Sequence, residues 1–504
     1  GQFYCELEQQ SKESKFHVKD YELDYRKPII LNVHKARTEI VNRIVYHRFP
    51  CSAESLRDQA SVEAPRYLSI RECLFYPDAR VIEQSAENAT VDESGHQYRS
   101  QLLYFVTPET ITLEQSARIR IRGVVHPHPQ TQTPTVIVDH VEKSENDISR
   151  FRLTEELRDK FSQIHRSDID KVLSQLSYLT QINQRPVTHL IVMLVFHSVL
   201  AFEYKGSQIA GVLDVLLIGD SGVGKTQILK SLIQKIKLGQ FVTGSSASRT
   251  GICYGILSLN KSYEIQWGAY PSNDRGLLVI DEGQDISDKE WESLSVGRSD
   301  GILTVNRIVR GEHPTRTRLL VLANPHAGRM VDSELYPCCH LSQIFTTKDI
   351  RRFDISQALS TNDVSREDLF KENHPTPEVS FFNDDLLRSS VMYAWSRQSH
   401  QIKFVEDFDK ELLRLCQILM DEYGSATEIP LIGNDVREKL LRLSVAHACF
   451  RHSTDDSGEN VIVRVDDVNA VAKLMTEIYS ADSFGLGQYA DTQKTESRLC
   501  EEEY

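Results

Sequence analysis

The sequence predicts a multidomain protein with a β-rich N-terminal region, a central α/β domain on buried parallel strands, and a helical C-terminal region. Three observations predict it. Short apolar or alternating runs, some separated by turns such as His126-Pro127-His128-Pro129, fill the first 150 residues. Continuous apolar runs recur between Gly211 and Asn324, the pattern of strands buried on both faces. Beyond about residue 360 such runs nearly vanish, and apolar residues recur at spacings of three and four.

Composition sets the outer bounds. A chain of 504 residues divides into three or four domains at about 100–200 residues each. With 40% hydrophobic and 26% charged residues it is neither collagen-like, mucin-like nor wholly disordered. The net charge of −14 excludes a uniformly basic surface, so nucleic acid would have to meet local basic patches or a lined channel. The longest apolar run, 190–202, falls short of the roughly 20 residues that span a bilayer. It reads as a buried helix closed by Gly206, and no membrane partner is expected. No basic segment followed by an apolar core opens the sequence, so no secretory signal is expected. The nine cysteines form no C-x-x-C pair, and their irregular spacing suits reduced thiols inside a cell. That means cytoplasm for a prokaryotic, viral or plasmid protein and nucleus for a eukaryotic one.

In order along the chain, residues 81–84, 101–106, 117–125 and 133–140 read as strands. Residues 153–161 and 169–179 read as amphipathic helices. Residues 212–218, 277–280 and 319–323 read as the buried parallel strands, with a helix at 227–236 after the first. Helices are expected at 384–399, 407–422, 435–450 and 466–479, with Asp384, Asp435 and Asp466 as N-caps. The last twenty residues, polar and acidic, read as a loose tail. The expected divisions are 1–150, 151–205 (helical linker), 206–360 (α/β), 361–484 (helical lid) and 485–504 (acidic tail).

The chemistry concentrates in the α/β region. Gly219-Asp220-Ser221-Gly222-Val223-Gly224-Lys225-Thr226 satisfies G-x-x-x-x-G-K-[ST], with an apolar strand running in and a helix running out. Its glycines let backbone N–H groups curl around phosphate oxygens at a helix N-terminus. Lys225 should reach the β- and γ-phosphates of ATP, and Thr226 should offer its hydroxyl to Mg²⁺. A second strand ends in Asp281 and Glu282, placing Asp281 in the Mg²⁺ shell and Glu282 on the attacking water. A third ends in Asn324-Pro325, and Asn324 can hold that water opposite the γ-phosphate. Arg351-Arg352-Phe353-Asp354 follows; in a ring, such an arginine stabilises the charge on a neighbour's nucleotide, whereas in one chain it pairs with surface acids. Arg437, at the start of a lid helix, is either a further phosphate sensor or a solvated helix arginine.

These stretches, with Val242-Thr243-Gly244-Ser245-Ser246, Thr304-Val305-Asn306 and Arg442-Leu443-Ser444-Val445-Ala446-His447, resemble the minichromosome-maintenance (MCM) family of AAA+ ATPases, ring helicases of DNA replication. The resemblance is strongest over 205–355, fair over 430–480 and weak before 150. It implies an ATP-dependent helicase or translocase, in a hexameric ring of identical or paralogous subunits, acting on single- and double-stranded DNA with replication loading factors. It makes Arg352 the finger acting in trans and Arg437 a second trans sensor. It also implies two channel hairpins, at 255–268 and within 295–307, with Lys261 and Arg298 as their DNA-contacting residues. The sequence departs from the family pattern at Ser221, at Gly283-Gln284-Asp285-Ile286, at Arg351 and in a long stretch from Arg307 to Arg318. That stretch resembles magnesium-chelatase-like AAA+ proteins, so a remodelling or chelatase-type ATPase without DNA translocation is the alternative. A weakly hydrolysing scaffold subunit would lack an acid or the lysine, and neither is missing.

In the N-terminal region Arg118, Arg120 and Arg122 alternate with isoleucines, which on a strand puts three cations on one face. An oligonucleotide-binding (OB) barrel would turn that face to DNA, and a charge-protected edge strand would show the same pattern. The family's frequent zinc ribbon is not expected, because Cys5, Cys51 and Cys73 lack the paired spacing. Cys338-Cys339-His340 is likewise a poor tetrahedral chelate. The family's C-terminal winged domain is not expected either.

Overall fold

The computed structural model describes residues 2–9, 60–68, 70–75, 101–106, 119–127, 134–143 and 148, then 151–502 apart from 183–184, 245–248, 260–261, 309 and 365–381. The chain divides into two compact units, Gly1–Asn146 and Asp147–Tyr504. In the first, β1 (Gln2–Gln9) and β2 (Ala60–Leu68) pair antiparallel. Strands β3 (Ile70–Phe75), β4 (Gln101–Val106), β5 (Ile119–Pro127) and β6 (Pro134–Lys143) form a four-stranded sheet in the order β3-β4-β6-β5. Only β4 and β6 run parallel in it. The register of β5 slips between Arg122 and Gly123, a bulge at a glycine. The strand expected at 81–84 lies outside the described residues.

The second unit opens with helices α1 (Glu155–Arg166), α2 (Ile169–Thr180) and α3 (Pro186–Phe196). Thr154 and Asp168 cap α1 and α2 with their side-chain oxygens, and Pro186 starts α3 where no N–H is needed. The apolar run 190–202 is therefore not one helix. It ends at Phe196, and Ala201–Tyr204 (β7) turns through Lys205 and Gly206, both at positive φ, to pair with Ser207–Ala210 (β8). A short apolar run alone does not separate buried helix from buried strand.

Strand β9 (Asp214–Gly219) leads into α4 (Lys225–Ile236), followed by β10 (Gln240–Thr243). A hairpin, β11 (Tyr254–Leu259) and β12 (Ser262–Trp267), precedes β13 (Leu277–Asp281). Helix α5 (Asp288–Asp300) leads to a second hairpin, β14 (Ile302–Asn306) and β15 (Arg310–Pro314). Strands β16 (Arg318–Ala323) and β17 (Ile355–Leu359) complete a five-stranded, all-parallel sheet in the order β10-β13-β16-β9-β17. All six residues of β9 and of β16 are buried. Each fully buried Val, Leu or Ile contributes about 1.5–3 kcal/mol, so the continuous apolar runs go to the sheet's interior. The two hairpins pack side by side, with the rings of Trp267 and His313 centred 5.0 Å apart.

Four of the C-terminal helices follow the expected pattern: α6 (Asp384–Ser396), α7 (Phe408–Tyr423), α8 (Val436–Phe450) and α9 (Val465–Tyr479). Asp435 stands at the N-cap position of α8 as expected, although its side chain makes no capping bond, while Asn383 rather than Asp384 caps α6, and Arg464 rather than Asp466 precedes α9. A short parallel pair, β18 (Ile402–Phe404) with β19 (Val461–Val463), adds strand to this region. The end of the chain is not a loose tail. It forms α10 (Leu486–Glu502), because Leu486, Tyr489 and Ala490 recur at helical spacing and are buried.

Candidate nucleotide site

The phosphate loop sits at the C-terminal end of β9, the edge where ligands meet open α/β sheets. Gly222 and Gly224 hold φ of 86° and 91°, which glycine adopts without steric cost. At Gly219 a Cβ would lie 2.6 Å from the Leu359 carbonyl oxygen, so the loop leaves the sheet only as glycine. Ser221 and Gly222 are exposed, and Val223, Gly224 and Thr226 half-buried. Lys225 is buried, and its ammonium donates to Gly219 O (2.6 Å), Asp220 O (2.7 Å) and Asn324 Oδ1 (3.1 Å). Burial pushes its pKa down to about 8, against the pull of the Asp220 and Asp281 carboxylates.

The structure brings the other motif residues of this edge together. Thr226 Oγ1 donates to Asp281 at 3.1 and 3.3 Å. Asp281 Oδ1 also accepts from the Glu282 N–H at 3.1 Å. Glu282 has φ 54°, a left-handed conformation that costs a non-glycine residue energy and often marks a functional position. The N–H of Asn324 donates to Gln284 Oε1 at 2.9 Å, so Gln284 positions the third strand's amide, a role sequence reading missed.

The hydroxyl of Thr226 and the carboxylate of Asp281 are hard oxygen donors, and they fit Mg²⁺, which takes few protein oxygens and keeps waters and phosphates for the rest. No group of three or more His, Cys, Asp or Glu able to hold a metal occurs among the described residues.

Asp220 departs from a simple phosphate cradle. Its carboxylate is buried, taking the N–H of Val331 (2.7 Å) on one oxygen and the N–H (2.9 Å) and hydroxyl (3.1 Å) of Thr361 on the other. It clamps the phosphate loop to the segments that follow Asn324 and β17.

Arg352 stands at the other end of the sheet, and Arg437 lies in the first turn of α8. The Asp354 N–H donates to Asp214 O at 2.7 Å, at the start of β9, two residues after Arg352. Arg352 donates to Ser299 Oγ at 2.8 and 2.6 Å and to Lys348 O at 3.0 Å. Arg437 lies 3.4 Å from Asp409 Oδ1 and over the Tyr204 ring at 5.7 Å.

Arg298 is not a hairpin residue. It lies in the last turn of α5, with its side chain 0% exposed. Its Nε donates to Asp214 at 2.7 Å, and its guanidinium stacks over Phe353 at 4.4 Å. The helix runs on to Asp300, which turns Arg298 into the core and starts the hairpin later than expected. The exposed hairpin tip carries Arg307, Ile308 (73% exposed) and Arg310 instead. The long stretch from Arg307 is thus the hairpin's return strand. Lys261 and Arg118 lie outside the described residues, while Arg120 and Arg122 stand in β5 opposite Glu142 and His140.

The family description "MCM P-loop domain" matches residues 156–369. Over 332 residues the chain is 24% identical to DNA replication licensing factor Mcm3 of Drosophila melanogaster, covering 55% of this chain and 39% of that protein. Over 315 residues it is 25% identical to DNA replication licensing factor MCM5 of Arabidopsis thaliana, covering 56% and 40%. Over 372 residues it is 22% identical to DNA replication licensing factor MCM2 of Oryza sativa subsp. indica, covering 65% and 38%. The chain spans about two fifths of the length of these curated relatives. Its phosphate loop lies within the stretch that matches the MCM P-loop domain, and at low identity the chain is similar to several MCM-named replication licensing factors.

Proposed function

We propose that this chain is a motor subunit of an ATP-driven DNA helicase or translocase, working in a ring and hydrolysing ATP at the junctions between subunits. One observation carries the reading. The phosphate loop caps the C-terminal end of β9, whereas Asp354, two residues from Arg352, is bonded to Asp214 at its N-terminal end. A six-residue strand spans roughly 17 Å at about 3.3 Å per residue. Arg352 thus stands a whole sheet away from its own phosphate loop, so any γ-phosphate it serves is a neighbour's.

On this reading the backbone N–H groups of the loop and the N-terminus of α4 grip the triphosphate. Lys225 exchanges its carbonyl partners for phosphate oxygens. Thr226 and Asp281 would hold Mg²⁺, which when bound would offset the negative charge of the phosphates. Glu282 orients and polarises water, Asn324 holds it from the far side, and Arg352 and Arg437 meet the neighbour's nucleotide. Exposed Arg307 and Arg310 follow a DNA backbone without reading bases, so binding weakens steeply with salt. The N-terminal strands serve as an OB-like DNA-binding domain, the helices of 361–484 as a lid, and replication is the process named for the relatives.

Lys225→Ala or Glu282→Gln should abolish ATP turnover, and substantial activity in either, with contaminants excluded, contradicts the mechanism. Stimulation of turnover by single-stranded DNA separates this function from a remodelling ATPase. The long stretch that favoured remodelling is an ordinary hairpin strand.

A further inference from the structure

Two ion pairs bracket the two arginines assigned to the neighbour's nucleotide. The first joins Asp354 to Arg442: Asp354 Oδ1 accepts from Arg442 Nε at 2.8 Å and lies 2.7 Å from its Nη2. The second oxygen of Asp354 accepts from the Asp214 N–H at 2.9 Å, and the Asp354 N–H returns a bond to Asp214 O. Each carboxylate oxygen and the N–H of Asp354 is thus engaged, and its side chain is 3% exposed against 17% for Arg442. The other pair joins Arg351 to Asp435 at 3.5 Å. Asp435 immediately precedes α8, and Arg437 lies in that helix's first turn. Residues 351 and 354 flank Arg352, while 435 and 442 flank Arg437.

A buried ion pair adds little net stability compared with a well-packed apolar replacement, so its use here calls for a positional reason. The pair lies at the Asp214 end of β9, away from this chain's own phosphate loop. We propose that Asp354 and Arg442 are positioning residues whose ion pair fastens the helix carrying Arg437 to the segment carrying Arg352. The two arginines are thereby presented to the neighbouring subunit as one unit, a role that rests on the trans reading of both.

Subunit mixing tests it. Arg442→Gln subunits keep an intact phosphate loop and bind nucleotide normally, yet alone they turn over ATP roughly tenfold more slowly, the cost of about 1.4 kcal/mol in the barrier. Lys225→Ala subunits hydrolyse nothing but carry an intact trans face. Mixing the two restores turnover to the Arg442→Gln phosphate loops. Asp354→Asn behaves alike, and the double variant is no slower than either single one. Unchanged turnover, or a loss that mixing does not repair, overturns the positioning role, because an arginine that only held its own subunit together would not be rescued by a neighbour. Arg352→Ala mixed with Lys225→Ala is the control. Recovery there but not with Arg442→Gln removes the positioning role alone, while failure of both removes the trans reading itself. Should Arg442→Gln melt below the assay temperature, Asp354→Asn carries the same comparison, since it keeps its shape and its bond from Asp214.

Discussion

Lowering the pH should destabilise the second unit before its carboxylates titrate, and the cause is a chain of buried neutral histidines. His197 Nδ1 lies 2.8 Å from Met193 O, a carbonyl that only accepts, so that nitrogen carries the proton. His197 Nε2 is then the acceptor for Ser390 Oγ at 2.8 Å. Ser390 Oγ in turn accepts from His452 Nε2 at 2.8 Å, which leaves His452 Nδ1 unprotonated and without a hydrogen bond. The chain ties the end of α3 to α6 and to the segment after α8. Burial pushes the pKa of His197 down from 6.5 to about 4, and that of His452 well below its usual value. Because the unfolded chain binds the proton more readily, this stability is fully present above pH 6.5 and is lost as pH falls toward 4. At 1.36 kcal/mol per pKa unit, His197 alone accounts for about 3 kcal/mol, of which about 2 kcal/mol is lost between pH 6.5 and 5. That is a large part of the roughly 5–15 kcal/mol that holds a domain together. Urea unfolding at pH 7.5, 6 and 5 measures it. An unfolding free energy that stays flat over that range would refute the neutral, buried assignment.

Other expectations follow from the same contacts. Asp220→Ala leaves the N–H groups of Val331 and Thr361 unpaired, at about 1–3 kcal/mol each, so both melting temperature and nucleotide affinity should fall. Gly219→Ala forces a Cβ to 2.6 Å from Leu359 O and should lower the melting temperature by displacing β17. Arg307→Ala and Arg310→Ala should each weaken DNA binding about equally on every sequence and reduce the salt slope by about one. A salt slope unchanged in the double variant places the DNA elsewhere.

What could be read from the chain was local. The phosphate loop and the strands ending in Asp281 and Asn324 stood out because parallel strands buried on both faces are continuous apolar runs that break at the ligand edge. Contacts between distant segments left no such trace. The pairing of Asp354 with Arg442, the clamp from Asp220 to Thr361 and the Gln284 support of Asn324 join residues 88, 141 and 40 positions apart. Arg298 was misplaced by a few residues of helix length, and helix ends are the least certain feature of a periodic pattern. The final helix was hidden because its apolar stripe is three residues, Leu486, Tyr489 and Ala490, in an otherwise polar stretch.

The most direct measurement is a structure of the assembled protein with Mg²⁺ and a nonhydrolysable ATP analogue. It should show the triphosphate in the loop Gly219–Thr226, Lys225 turned from its carbonyl partners toward phosphate, and Arg352 of an adjoining subunit at the terminal phosphate. An empty loop, or a filled one with no second chain beside it, would contradict hydrolysis between subunits.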